Sequence, residues 1–234
     1  MTSSDYKKAK EVVSSELAQA GLHGKVTITK LSWTALEFPT YHVSYTYSEK
    51  TYDDQTVRLE NETTFHDDWS SSSIIFLPDY KKVFLEQKSI KNIEEKLEKE
   101  IKKQSLGLPI EFSIFLSNFY QEEKEEILDS IASQNLKEGK KDFAGYYQIP
   151  FQTLIDQELI RMTIYVDDAV SVKEQDLEEA AKKLDASKLP NGAYSFYYSN
   201  HKDDSEDTLS YSFKVKDGKV VFYEDQQDGL EDQN

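Results

Sequence analysis

Between Tyr41 and Tyr47 the chain alternates without a break: Tyr41, Val43, Tyr45 and Tyr47 fall on one side, and His42, Ser44 and Thr46 on the other. A period of two marks a half-buried strand, and large aromatics on one side require something to cover them. The same requirement returns later, where Tyr194, Phe196 and Tyr198 alternate and Tyr211, Phe213 and Val215 follow one strand on. Asp217-Gly218 then predicts a two-residue hairpin turn into a last strand at 219–223.

The covers are amphipathic helices. Over 5–20, Tyr6, Ala9, Val13, Leu17 and Ala20 recur at steps of three and four, with Ser3, Ser4 or Asp5 as cap and Gly21 as stop. Ile90, Ile93, Leu97 and Ile101 repeat the pattern after a Ser89 cap, and Gly107 and Pro109 end it. Further helices are expected over 121–134, with Ile127, Leu128 and Ile131 inward, and over 172–186, with Leu177, Ala180, Ala181 and Leu184 inward. Strands are expected at 26–33, 41–47, 56–66, 74–77, 110–116, 146–151, 159–166, 194–199 and 208–216. The fold class is α+β, with helices packed on antiparallel meander sheets in two helix-plus-meander units. The division falls at 1–80 and 81–234. One mixed domain is the alternative, favoured by the adjacent apolar residues Val83, Phe84 and Leu85 at the junction. Residues 224–234 read as a frayed tail.

Composition decides whether such a chain folds. Charged residues make up 31% and the net charge is -16, which leans toward disorder, but 15 Tyr and 12 Phe supply the apolar area a core needs. A net charge of that sign repels the DNA backbone and anionic lipid headgroups, so no nucleic-acid partner is expected. No apolar run approaches the ~20 residues that span a bilayer, so this is not an integral membrane domain. With no cysteine, disulfides, thiol catalysis and Cys-ligated zinc are excluded.

The short polar lead Met1-Thr2-Ser3-Ser4, the absence of cysteine and the lysine- and tyrosine-rich acidic composition resemble the mature part of a surface lipoprotein of a low-GC Gram-positive bacterium. That resemblance spans the whole chain and rests on no motif. It implies an extracytoplasmic, cell-surface or membrane-anchored location, with a lipid anchor outside this chain. A cytoplasmic location is the alternative.

Chemistry-bearing motifs are sparse. There are 4 histidines. His66 and Asp68 form one cluster with metal-ligand chemistry, and Asp203, Asp204 and Asp207 form an acidic loop able to attract calcium. Neither reaches a complete ligand set, and no cofactor is expected. Gly-x-Ser-x-Gly and Gly-rich phosphate loops are absent. Tyrosine pairs an apolar ring with a polar tip, so Tyr41, Tyr45, Tyr47, Tyr194, Phe196 and Tyr198 are the candidate recognition surface. Core packing under the neighbouring helices is the competing reading. The chain is therefore expected to be a non-enzymatic extracytoplasmic interaction or structural protein with a protein or peptide partner. An intracellular small-molecule or partner-binding protein is the alternative, and a hydrolase using paired carboxylates comes third.

Overall fold

The computed structural model describes residues 1–35, 40–70, 78–117, 122–168, 170–200 and 207–222. In chain order the elements begin α1 (Ser3–Gln19), β1 (Lys25–Thr34), β2 (Thr40–Lys50), β3 (Thr56–His66), α2 (Pro78–Lys81) and α3 (Lys88–Lys102). They continue with β4 (Ile110–Leu116), α4 (Glu122–Lys137), α5 (Phe151–Asp156), β5 (Ile160–Val166), α6 (Glu174–Lys183), β6 (Gly192–Asn200), β7 (Asp207–Lys216) and β8 (Lys219–Phe222). The fold is α+β, with one three-stranded antiparallel meander and one five-stranded mixed sheet. The chain divides into two compact units, Met1–Lys88 with Leu128–Ile149, and Ser89–Ile127 with Pro150–Asn234.

In the first unit Thr2, rather than Ser3, Ser4 or Asp5, is the N-cap of α1. Thr2 and Asp5 exchange backbone and side-chain hydrogen bonds in a capping box. The helix buries Ala9, Val13 and Leu17, while Tyr6 in its first turn is exposed. β1, β2 and β3 pair in sequence order, with a bulge between Ile28 and Lys30. That extra residue inverts the alternation of β1, so Leu31, not Lys30, continues the packed row begun by Val26. Val43, Tyr45, Tyr47, Val57 and Phe65 fill the same face.

Pro78–Lys88, where the sequence places a junction, is largely helical. A 3₁₀ turn, Lys82–Glu86, follows α2 and buries Val83 and Phe84. The buried Gln87 side chain donates to the Ile149 carbonyl at 2.9 Å, and Asp53 accepts the Lys88 amide at 3.3 Å. Lys81, also buried, pairs with Asp129 at 2.8 Å.

The strand expected at 146–151 does not form. Phe143, Ala144 and Gly145 have φ of 48°, 54° and 92°, a left-handed turn inside Asp142–Gly145. The Phe143 N–H donates to the Glu49 carboxylate at 3.0 Å, and Asn135 donates to the Gly145 carbonyl at 2.8 Å. Asp142 accepts the Tyr52 N–H at 2.7 Å. These partners turn an aromatic run that alternates like a strand into a clasp. The strand expected at 74–77 and the tail at 224–234 lie outside the described residues.

In the second unit α3 starts at Lys88, so Ser89 sits within its first turn and does not cap it. β4 and β5 are antiparallel, β5 and β6 parallel, and β6, β7 and β8 antiparallel. The parallel pair follows from the crossover through α6, which returns the chain to the same end of the sheet. Phe112, Ile114, Met162, Ile164, Tyr194, Phe196, Phe213 and Val215 line the packed face, and Leu177, Ala180 and Ala181 of α6 are buried within the same unit. Val215 pairs with Val220 across the Asp217-Gly218 turn, where both φ values are positive (51° and 72°), the twist-matched hairpin geometry.

Candidate binding cleft

The strand faces that do not pack carry the polar residues of the β1–β2–β3 sheet. Lys30 and Ser32 come from β1, His42 and Ser44 from β2, and Glu62 and Thr64 from β3. Registry assembles them: Lys30 pairs with Ser44 and Ser44 with Glu62, while Ser32 pairs with His42 and His42 with Thr64. These two cross-strand rows line an open cavity of about 400 Å³, whose walls also include Val43 and Thr63. The side chains of those two alternate to the packed face.

Lys30, His42 and Glu62 are exposed, and Ser32, Ser44 and Thr64 half-buried. The Ser44 hydroxyl donates to Glu62 at 2.8 Å, fixing the carboxylate over the sheet. The cleft thus offers a cation, a carboxylate, an imidazole and three hydroxyls to a polar solute, all projecting from backbone that the sheet holds rigid. Of these residues the sequence places His42 and Ser44 on the polar side of their strand. Lys30, Ser32 and Glu62 resemble any solvated strand face until pairing places them side by side.

The aromatics that sequence reasoning offers for recognition are distributed differently. Tyr45, Tyr47, Tyr194, Phe196 and Tyr198 are buried. Burial pushes the Tyr45 hydroxyl up to about 12, with Glu16 adding to it. Tyr47 is pushed up by burial and by its hydrogen bond to Glu49, while it also accepts the Gly24 N–H at 2.7 Å. The Tyr194 hydroxyl, raised by burial, donates to the Pro190 carbonyl at 3.0 Å. Tyr41 is half-buried and stacks on Trp69 with ring centroids 4.1 Å apart.

His66 ends β3 and is exposed, and the Asp68 carboxylate accepts both the N–H and the hydroxyl of Ser70. Asp203 and Asp204 lie outside the described residues, and Asp207 opens β7. Among the described residues no group of three or more His, Cys, Asp or Glu is placed to hold a metal ion, and no helix is long and apolar enough to cross a membrane.

Compared with protein-family models, with characterised proteins and with solved structures, the chain matches none of them.

Proposed function

We propose that the chain is a non-enzymatic interaction protein working outside the cytoplasm, and that the polar cleft on the β1–β2–β3 sheet is its recognition face. One observation carries this reading: Lys30, His42 and Glu62 converge from three strands on a solvent-open cavity of about 400 Å³. Groups of both charges set among hydroxyls recognise polar solutes by hydrogen bonds and ion pairs. Catalysis at useful rates draws on preorganised dipoles in a water-excluded site, and an open strand face favours binding over chemistry. The acidic, cysteine-free composition and its likeness to surface lipoproteins support the location.

Two-dimensional amide spectra recorded with a panel of amino acids, dipeptides and monosaccharides test the cleft. Shifts are expected to centre on residues 30–32, 42–44 and 62–64 and to vanish in a Lys30→Ala/Glu62→Gln variant. Shifts confined to other residues, or none with any probe, retire the cleft. Recovery of the chain only with the cytoplasmic fraction of its source cells retires the location.

A further inference from the structure

The chain has 2 tryptophans, Trp33 and Trp69, and the fold brings both to one end of the β1–β2–β3 sheet. Trp33 pairs across the strands with Tyr41, and Tyr41 with Phe65, so the packed face ends in an aromatic row. Phe65 is fully buried at one end of that row, while Trp33 at the other is 45% exposed. Trp69 closes the group, stacked on Tyr41 at 4.1 Å and 14°, and tilted against Phe65 at 6.1 Å.

The turn holding Trp69 is braced for display. Trp69 has φ +66°, a left-handed conformation that residues with a side chain seldom adopt. The Trp69 N–H donates to the His66 carbonyl at 2.9 Å, and the His66 N–H to the Ser70 carbonyl at 2.9 Å. Asp68 ties down Ser70 from its side chain. Within this turn Asp67 and Asp68, which directly precede Trp69 in the chain, are both exposed.

We infer that this aromatic end, with its flanking carboxylates, docks a lysine-rich segment of a protein partner. Indole and phenol faces attract ammonium groups through the ring quadrupole, and nearby carboxylates add ordinary Coulomb attraction. Charge complementarity selects the occupant. A chain of net charge -16 draws a cationic segment toward it and repels an anionic bilayer or nucleic acid. The site lies apart from the Lys30–His42–Glu62 cleft and stands or falls without it.

Both tryptophans lie at the proposed site, so intrinsic fluorescence reads it directly. The intact chain is titrated with a short oligolysine peptide, with the same peptide carrying acetylated lysines, and with anionic lipid vesicles. A saturable fluorescence change is expected with oligolysine alone, weakening as salt rises. Trp33→Ala should loosen it about three- to fivefold, the order that an exposed cation–π contact contributes, and Asp67→Asn/Asp68→Asn should weaken it and flatten its salt dependence by removing two charges. Trp33 stands at the exposed end of the row, so its variant should still unfold in one cooperative transition, and Trp69 remains as reporter. An equal response to the acetylated peptide, a response to vesicles in place of oligolysine, unchanged affinity in both variants, or no saturable change overturns the inference.

Discussion

The Tyr147 hydroxyl lies 3.0 Å from both carboxylate oxygens of Asp53, joining the β2–β3 turn to a residue 94 positions further along the chain. Asp53 also accepts from Thr51 at 2.6 Å and Gln55 at 2.9 Å. Burial would raise its carboxyl, but hydrogen bonds from Thr51, Gln55, Tyr147 and the Lys88 amide outweigh that and hold it below its usual value. A depressed carboxyl adds stability above its unfolded value, and that contribution is lost as pH falls through the folded one. Tyr147→Phe removes one donor and is expected to cost about 1–2 kcal/mol at neutral pH. The loss should shrink in acid, as urea melts across that range will show. A constant difference would mean that Asp53 is not the partner that matters.

Gly145 is the tightest position of the left-handed clasp. It has φ +92°, and a Cβ there would stand 2.3 Å from the Ala132 carbonyl oxygen, which is backbone and cannot step aside. Gly145→Ala is expected to destabilise by roughly 3 kcal/mol or more, combining left-handed strain with overpacking. Gly139 has a similar φ of +81° but nothing within 4 Å of its Cβ position. Gly139→Ala should therefore cost only about 1 kcal/mol. Equal losses in chemical denaturation would show that the clasp gives way more easily than its geometry implies.

That clasp also marks where sequence reasoning stops. The rows Tyr41–Tyr47 and Tyr194–Tyr198 and the Asp217-Gly218 turn are legible because local periodicity and turn chemistry decide them. Residues 146–151 look equally strand-like, yet Glu49, from far along the chain, and Asn135, from the preceding helix, hold the turn before them. Nothing local announces left-handed Phe143 and Ala144. The β5–β6 parallel pairing and the cleft share that cause. Lys30 meets Ser44, and Ser44 meets Glu62, only after register is set, and the bulge between Ile28 and Lys30 shifts that register without a glycine to signal it.

At the margin of the five-stranded sheet, β4 would present unpaired backbone donors. The Glu94 carboxylate of α3 accepts the Ile114 N–H at 2.9 Å and the Ser113 hydroxyl at 2.5 Å. Glu94→Ala leaves both donors unmet, for an expected loss of about 1–3 kcal/mol. Hydrogen exchange should accelerate at Ile114 and its edge neighbours and leave the β5–β6 ladder slow. Unchanged exchange at Ile114 would assign its protection to something other than Glu94.

Tyrosine burial sets the alkaline limit. An unfolded tyrosine ionises near about 10. Tyr45 is held up to about 12 by burial and Glu16, and burial likewise raises Tyr47, Tyr147 and Tyr194. A raised folded value means that the stabilising contribution is complete below the unfolded value and disappears as pH climbs through the folded one. Unfolding free energy should thus fall steadily from about pH 10 to 12, and Tyr45→Phe should flatten part of that fall. A flat profile over this window would place these hydroxyls in water.

Thr63 offers a gain in place of a loss. It is 6% exposed on the packed face of β3, and its hydroxyl has no hydrogen-bond partner among the described residues. A buried hydroxyl without a partner forfeits its hydration and receives nothing in exchange. Valine has nearly the same shape, favours strands, and turns the same volume into apolar contact with the row that holds Val43 and Phe65. Thr63→Val is therefore expected to stabilise the chain by about 1 kcal/mol, read as a higher urea midpoint at unchanged slope. The side chain points away from the cleft, so probe binding at Lys30, His42 and Glu62 should not change. A destabilised Thr63→Val variant would mean that the hydroxyl is hydrogen-bonded in solution.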